Sequence, residues 1–189
     1  MYKAGHTGVS LVLFAPILAV LLYIHQPVLA FYGLAVVIFT APLPDIDLKP
    51  PFRYFVGHRT WTHSLWFAII IGLLSMTVSS FFAVAIETPP VYTLLFGFVI
   101  GVLGILFHLA GDMLTHSGIR PLYPFGPSYA FHLTSAKGLW WFENVKSGNQ
   151  NNLSHWESFR HRILNSNRVF FVLGLLATGF AFIPYVLTV

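Results

Sequence analysis

Long unbroken apolar stretches alternate with short polar ones along this chain. A helix that crosses about 30 Å of hydrocarbon at ~1.5 Å per residue needs roughly 20 apolar residues. Runs of that kind fall near 7–24, 28–43, 64–86, 91–111 and 169–187. The second is short, and Pro16, Pro42 and Pro184 predict kinks or helix ends. A cleaved signal peptide is the competing reading of the first run, because Lys3 precedes it, but no small-x-small site follows. The connection over 112–168 is too long for a plain turn, and its start is rich in Gly and Pro. Within it, Ser154 and Glu157 have the spacing of a capping box for a short helix ending near Asn165. Lys137, Trp140, Trp141 and Phe142 read as an interfacial segment, with packing of those rings against the bundle as the alternative.

Composition explains why the runs are so long. Only 8% of the 189 residues are charged, where soluble domains carry about 25%. With 19 Phe, 8 Tyr and 5 Trp besides, so few charges exclude a soluble enzyme, a disordered protein and a coiled coil. The absence of cysteine removes disulfides, thiolate zinc sites, iron–sulfur clusters and cysteine nucleophiles. All ten basic residues lie in the N-terminal tail, the second connection and the fourth connection with its edge, and none in the connections at 25–27 and 87–90. The positive-inside rule then predicts a cytoplasmic N-terminus and a C-terminus on the opposite side. The net charge of +4 thus reads as topology, and no nucleic-acid partner is inferred from it. The expected fold is all-α. It is one integral membrane domain over 1–189, a bundle of about five transmembrane helices with a long cytoplasmic-side connection that carries a short interfacial helix.

Ionisable residues inside or at the ends of membrane helices call for a functional explanation, because burying them is costly. His6 opens the first span, Asp45 and Asp47 follow the second, His58 and His63 precede the third, and His108 and Asp112 close the fourth. All seven fall on the predicted cytoplasmic side. His108 and Asp112 stand i, i+4, with side chains about 5–6 Å apart on one helix face. They can chelate a divalent ion, or simply satisfy each other. Pro44 is expected to stop the second helix, leaving Asp45 and Asp47 as an extended i, i+2 pair pointing to opposite sides. One could bind metal while the other bridges a second ion or orients a histidine; solvated turn aspartates are the plain alternative. His58 and His63 can converge from a loop, with Ser64 or Thr62 capping the third span. Arg59 between them suits a phosphate through its planar fork, or serves topology alone. His116 continues the stripe but fits a surface position equally well, and His25, on the opposite side, is not expected to bind.

Mixed His/Asp donors without cysteine suit Zn²⁺ foremost, or Mn²⁺ or Fe²⁺, and the donor count suggests two ions. Such a pair supports hydrolysis of a phosphoester or related bond. No G-x-S-x-G elbow or H-E-x-x-H helix provides a competing chemistry.

Four ordered motifs carry a family resemblance: Gly5-His6; Leu43-Pro44-Asp45-Ile46-Asp47; Gly57-His58-Arg59 with Thr62-His63-Ser64-Leu65; and His108 through Asp112-Met113-Leu114-Thr115 to Gly118. Over residues 5–125 the chain resembles the YdjM-like predicted membrane-bound metal-dependent hydrolases, also described as LexA-binding and inner-membrane-associated. Gly148-Asn149-Gln150 is similar to the family's later loop. The chain departs from the pattern at Thr60, where the family has glycine, and at His116. The His-x3-Asp helix and N-terminal histidine are also similar, distantly, to the zinc site of bacterial phospholipases C.

Together these readings lead to a metal-dependent hydrolase in the inner membrane, acting on a phospholipid or other phosphoester. His6, Asp45, Asp47, His58, His63, His108 and Asp112 are the expected ligands. Asp45, Asp47 and Arg59 are the expected catalytic groups, and Arg59, Trp140 and Trp141 the substrate-binding ones. The first rival is a transporter or a metal-binding membrane protein with no chemistry; it would need polar residues through the midplane, where Phe, Leu, Ile, Val and Gly prevail. A scaffold whose histidines only anchor helix ends, with Gly97, Gly101 and Gly104 serving close packing, is the remaining rival.

Overall fold

The computed structural model describes residues 3–55, 57, 59–83, 89–113, 119–125 and 166–188. They form an all-α membrane bundle of five helices: α1 (Lys3–Tyr23), α2 (Pro27–Thr40), α3 (Leu65–Ala83), α4 (Pro90–Met113) and α5 (Ser166–Thr188). Five helical stretches of 19 to 24 residues are long and apolar enough to cross a membrane. Hydropathy locates the spans but not their ends: α2 stops at Thr40, short of the expected 43, while other helices outrun their apolar runs. α1 begins at Lys3, α4 runs on through Asp112 to Met113, and α5 starts at Ser166, so the fourth connection is shorter at both ends than 112–168. A helix keeps its hydrogen-bond ladder past the apolar slab, and polar residues in its last turn carry no hydropathy signal. Pro16 and Pro184 lie inside α1 and α5 and end neither helix. The proposed capping box at Ser154 and the aromatic segment at Trp140 and Trp141 lie outside the described residues.

α1, α2 and α4 form the centre, with α5 against α1 and α3 against α4. Phe14, Leu18, Leu22, Leu29, Ala30, Val37 and Ile100 fill the space between them. Outward-facing Phe31, Phe39, Leu74, Phe81, Leu176 and Phe180 stay exposed, as helices require when lipid is the solvent. With no hydrophobic drive between helices in lipid, close contact depends on small residues. A Cβ at Gly174 would stand 2.6 Å from the carbonyl oxygen of Gly8, so α1 and α5 can approach this closely only without side chains there. Tyr32 of α2 adds a polar tie, its hydroxyl donating to the carbonyl of Ser75 in α3 at 2.6 Å.

Local chemistry sets the ends of the helices. α1 closes with His25 in the left-handed region at φ 55, while Gln26 N–H reaches Leu21 O at 2.8 Å and His25 N–H reaches Leu22 O at 3.1 Å. This is a Schellman closure, giving His25 a structural role at the opposite end of α1 from His6. Ser64 caps α3, its hydroxyl accepting from Phe67 N–H at 3.3 Å. Leu65 N–H donates to Pro121 O at 2.8 Å, tying residues 119–125 to the start of α3. These closures leave the start of α1, the chain after α2, the chain before α3 and the end of α4 at one end of the bundle.

Candidate metal centre

Four of these ends each deliver donor side chains into one buried space. His6 comes from the first turns of α1, and Gly111 in α4 makes room for it: a Cβ there would lie 3.1 Å from His6 Nδ1. His108 and Asp112 come from the last turns of α4. Asp45 and Asp47 lie on a 3-10 helix, Pro44–Leu48. This corrects the expected extended pair: proline, whose fixed φ suits a first helical position, opens a new turn here. His63 ends another 3-10 turn, Trp61–His63, just before α3. His6, His63 and His108 are fully buried, and Asp45, Asp47 and Asp112 nearly so.

The ring nitrogens face one another. His63 Nε2 lies 3.3 Å from His108 Nε2 and 3.1 Å from Asp112 Oδ2, which is itself 3.3 Å from His108 Nε2. His6 Nε2 is 3.5 Å from Asp112 Oδ1 and 4.0 Å from Asp45 Oδ2. Asp45 Oδ1 is 3.7 Å from His63 Nε2. The His6 and His108 rings stack, with centroids 3.8 Å apart and 17° between planes. Two overlapping groups result, His6 with His108 and Asp112, and Asp45 with His63 and His108, and each could hold a metal ion.

Three features of the site fit a cation. His108 Nδ1 lies 2.5 Å from Ala41 O, and a carbonyl only accepts, so the proton sits on Nδ1 and Nε2 presents a lone pair to the cluster. Neither ring nitrogen of His6 has a hydrogen-bond partner among the described residues, although both are buried. A histidine so placed needs a ligand bond to offset its desolvation. Among the described residues the three buried carboxylates are answered by one guanidinium, that of Arg59, whose Nη2 is 3.0 Å from Asp112 Oδ1. His63 answers part of that excess. Burial alone would lower its pKa, but Asp112, Asp45 and Asp47 outweigh burial and raise it to about 10.

Asp47, expected among the ligands, lies in neither group. Its Oδ2 is 3.4 Å from His63 Nδ1, the edge of the ring turned from the other donors. The same oxygen accepts from Thr62 Oγ1 at 2.7 Å and from Arg59 N–H at 3.2 Å. Arg59 is held there with φ 61, a left-handed conformation uncommon for a side chain of this size. Its side chain, expected to meet substrate, reaches Asp112 at 3.0 Å and remains 16% exposed at the rim. His58, His116, Trp140 and Trp141 lie outside the described residues.

Sequence reasoning gave no role to Ala41 O or Gly111, and considered Thr62 only as a cap. A backbone carbonyl carries no sequence signal. Gly111, beside Asp112 in an apolar helix, is the kind of glycine that marks a close approach.

No curated protein and no solved structure matches the chain. The sequence model of the YdjM inner membrane protein family matches residues 1–186, nearly its whole length, so the chain belongs to that family and is a multi-pass inner-membrane protein.

Proposed function

We propose that this protein is a membrane-bound metal-dependent hydrolase that acts on a phospholipid or other phosphoester. The reading is carried by the convergence of His6, His63, His108, Asp45 and Asp112, with His6 lacking any other partner for its ring nitrogens among the described residues. These five side chains would hold the ion, Zn²⁺ first by its liking for imidazole and carboxylate, with Mn²⁺ or Fe²⁺ as rivals. Both ligand groups use His108, whose Nε2 has a single lone pair, and this supports one ion where the donor count suggested two. When bound, a divalent ion supplies Lewis-acid polarisation of a phosphoryl oxygen and activation of water.

The chain's own groups prepare the rest. Asp47 and Ala41 O orient the rings of His63 and His108 from behind. Arg59, partly exposed and beside Asp112, brings a delocalised positive charge to the rim, where it would meet a phosphate. The apolar walls below the site exclude water. We place the N-terminus and this site on the cytoplasmic side and the C-terminus opposite, from the distribution of basic residues.

Detergent-purified, metal-loaded protein tested on a panel of phospholipids and aryl phosphoesters checks the reading. We expect turnover in the wild type, a drop of at least a hundredfold in kcat in Asp45→Asn, and a rise in KM in Arg59→Gln. Metal-loaded wild type inert across the panel, or Asp45→Asn as active as wild type, would overturn it.

A further inference from the structure

Immediately beyond Asp47 the chain leaves the bundle with its large side chains turned outward. Leu48, Phe52, Tyr54 and Phe55 are exposed, Phe55 at 84%, and Lys49 and Arg53 stand exposed among them. At the same end of the bundle, Trp61 meets Tyr123 edge-on at 6.0 Å and Trp66 meets Phe125 at 6.1 Å, with Phe125 itself 81% exposed. In water these rings would form an apolar surface of the kind that soluble proteins avoid. At the ends of membrane spans, aromatic rings belong at headgroup depth.

Charge selects the kind of headgroup. Among the described residues all three carboxylates are buried in the metal centre, while the exposed charged side chains, Lys49, Arg53, Arg120 and Arg168, are all basic. Arg168 belongs to this end too, since it opens α5 next to the contact of Gly8 with Phe170. Within 48–55 and 120–125 themselves the charged residues, Lys49, Arg53 and Arg120, are all basic, and no acidic residue offsets them in either segment. We propose that the 48–55 segment, with 120–125 at the same end of the bundle, is a docking surface for anionic phospholipid headgroups. Tyr54 and Phe55 enter the headgroup layer, and Lys49 and Arg53 pair with lipid phosphates. The surface holds anionic lipid at the rim of the metal centre whether or not the site hydrolyses it, so the inference stands apart from the catalytic reading.

Because the chain has no cysteine, Phe55→Cys gives a unique labelling position on a side chain that is already exposed. The full-length protein, bimane-labelled there, would be placed in nanodiscs of phosphatidylcholine alone or mixed equally with phosphatidylglycerol. Quenching by a lipid spin-labelled near its headgroup is expected to be strong in the mixed discs and weaker in phosphatidylcholine. Adding Lys49→Gln and Arg53→Gln should weaken the phosphatidylglycerol dependence by about fivefold per charge. A label at Phe180→Cys in α5 should respond only to a quencher deep in the acyl chains, and metal content should be unchanged in every variant. Quenching at position 55 by aqueous iodide instead of lipid would overturn the proposal. Lipid quenching that ignores phosphatidylglycerol and both substitutions would overturn it equally, leaving a generic aromatic belt.

Discussion

A carboxylate behind a ligand-type histidine fixes its tautomer and strengthens it as a donor, and Asp47 stands in this relation to His63 while also holding Thr62 and the backbone of Arg59. Asp47→Ala should therefore keep the metal but bind it about 10- to 100-fold more weakly, measured by competition with a chelating dye. Loss as complete as in Asp112→Ala would make Asp47 a direct ligand after all. His63 supplies a second test. Its pKa is raised to about 10 in the metal-free protein, and only the deprotonated ring can bind. The sign follows: a proton must leave for metal to enter, so apparent affinity should climb by up to about tenfold per pH unit across pH 7–9. An ordinary histidine would level off above about 6.5. A flat affinity profile above pH 7 in isothermal titration would contradict the carboxylate-raised His63.

At the scale of the helices, lipid-facing surfaces contribute no hydrophobic drive toward neighbours, so packing rests on fit. The α1–α5 contact is the clearest case, because Gly8 and Gly174 meet backbone to backbone. Gly174→Leu should force these helices apart and lower stability by about 1–3 kcal/mol, read as a fall in Tm in detergent. Gly179, where an added Cβ would meet nothing within 4 Å among the described residues, should accept Leu with little change. The five spans were legible because each lipid-solvated helix must be a long apolar run. Their partners were not, because residues that face lipid and residues that face protein are equally apolar. The 3-10 geometry at Pro44–Leu48 was hidden for a local reason: proline reads as a helix stop, but α2 has already ended at Thr40 and Pro44 opens a new turn. His25 reads as unremarkable in sequence, and only its positive φ reveals the closure of α1.

For the whole molecule, the arrangement of helix ends decides the chemistry. His6, Asp45, His63, His108 and Asp112 were legible as candidates because ionisable groups are rare in so apolar a chain, and their placement at one end followed from counting spans. The division of labour between Asp45, whose oxygens face the ring nitrogens, and Asp47, which stands behind one ring, needed three-dimensional geometry: the two are only two residues apart on the same turn. The same folding buries every described carboxylate in the centre, while Lys49 and Arg53 stand exposed in the segment that follows Asp47.

The most direct test of this account is the metal content of the gently purified full-length protein, measured by mass spectrometry in wild type and in His6→Ala after resupply of divalent ions. His6 is the telling choice because it enters from α1, far in sequence from the other donors, and has no other partner for its nitrogens among the described residues. About one ion per chain is expected in the wild type, with its loss or severe depletion in His6→Ala and the helical circular-dichroism signal unchanged. A wild type that binds no ion, or a variant that binds as much as the wild type, would contradict the account.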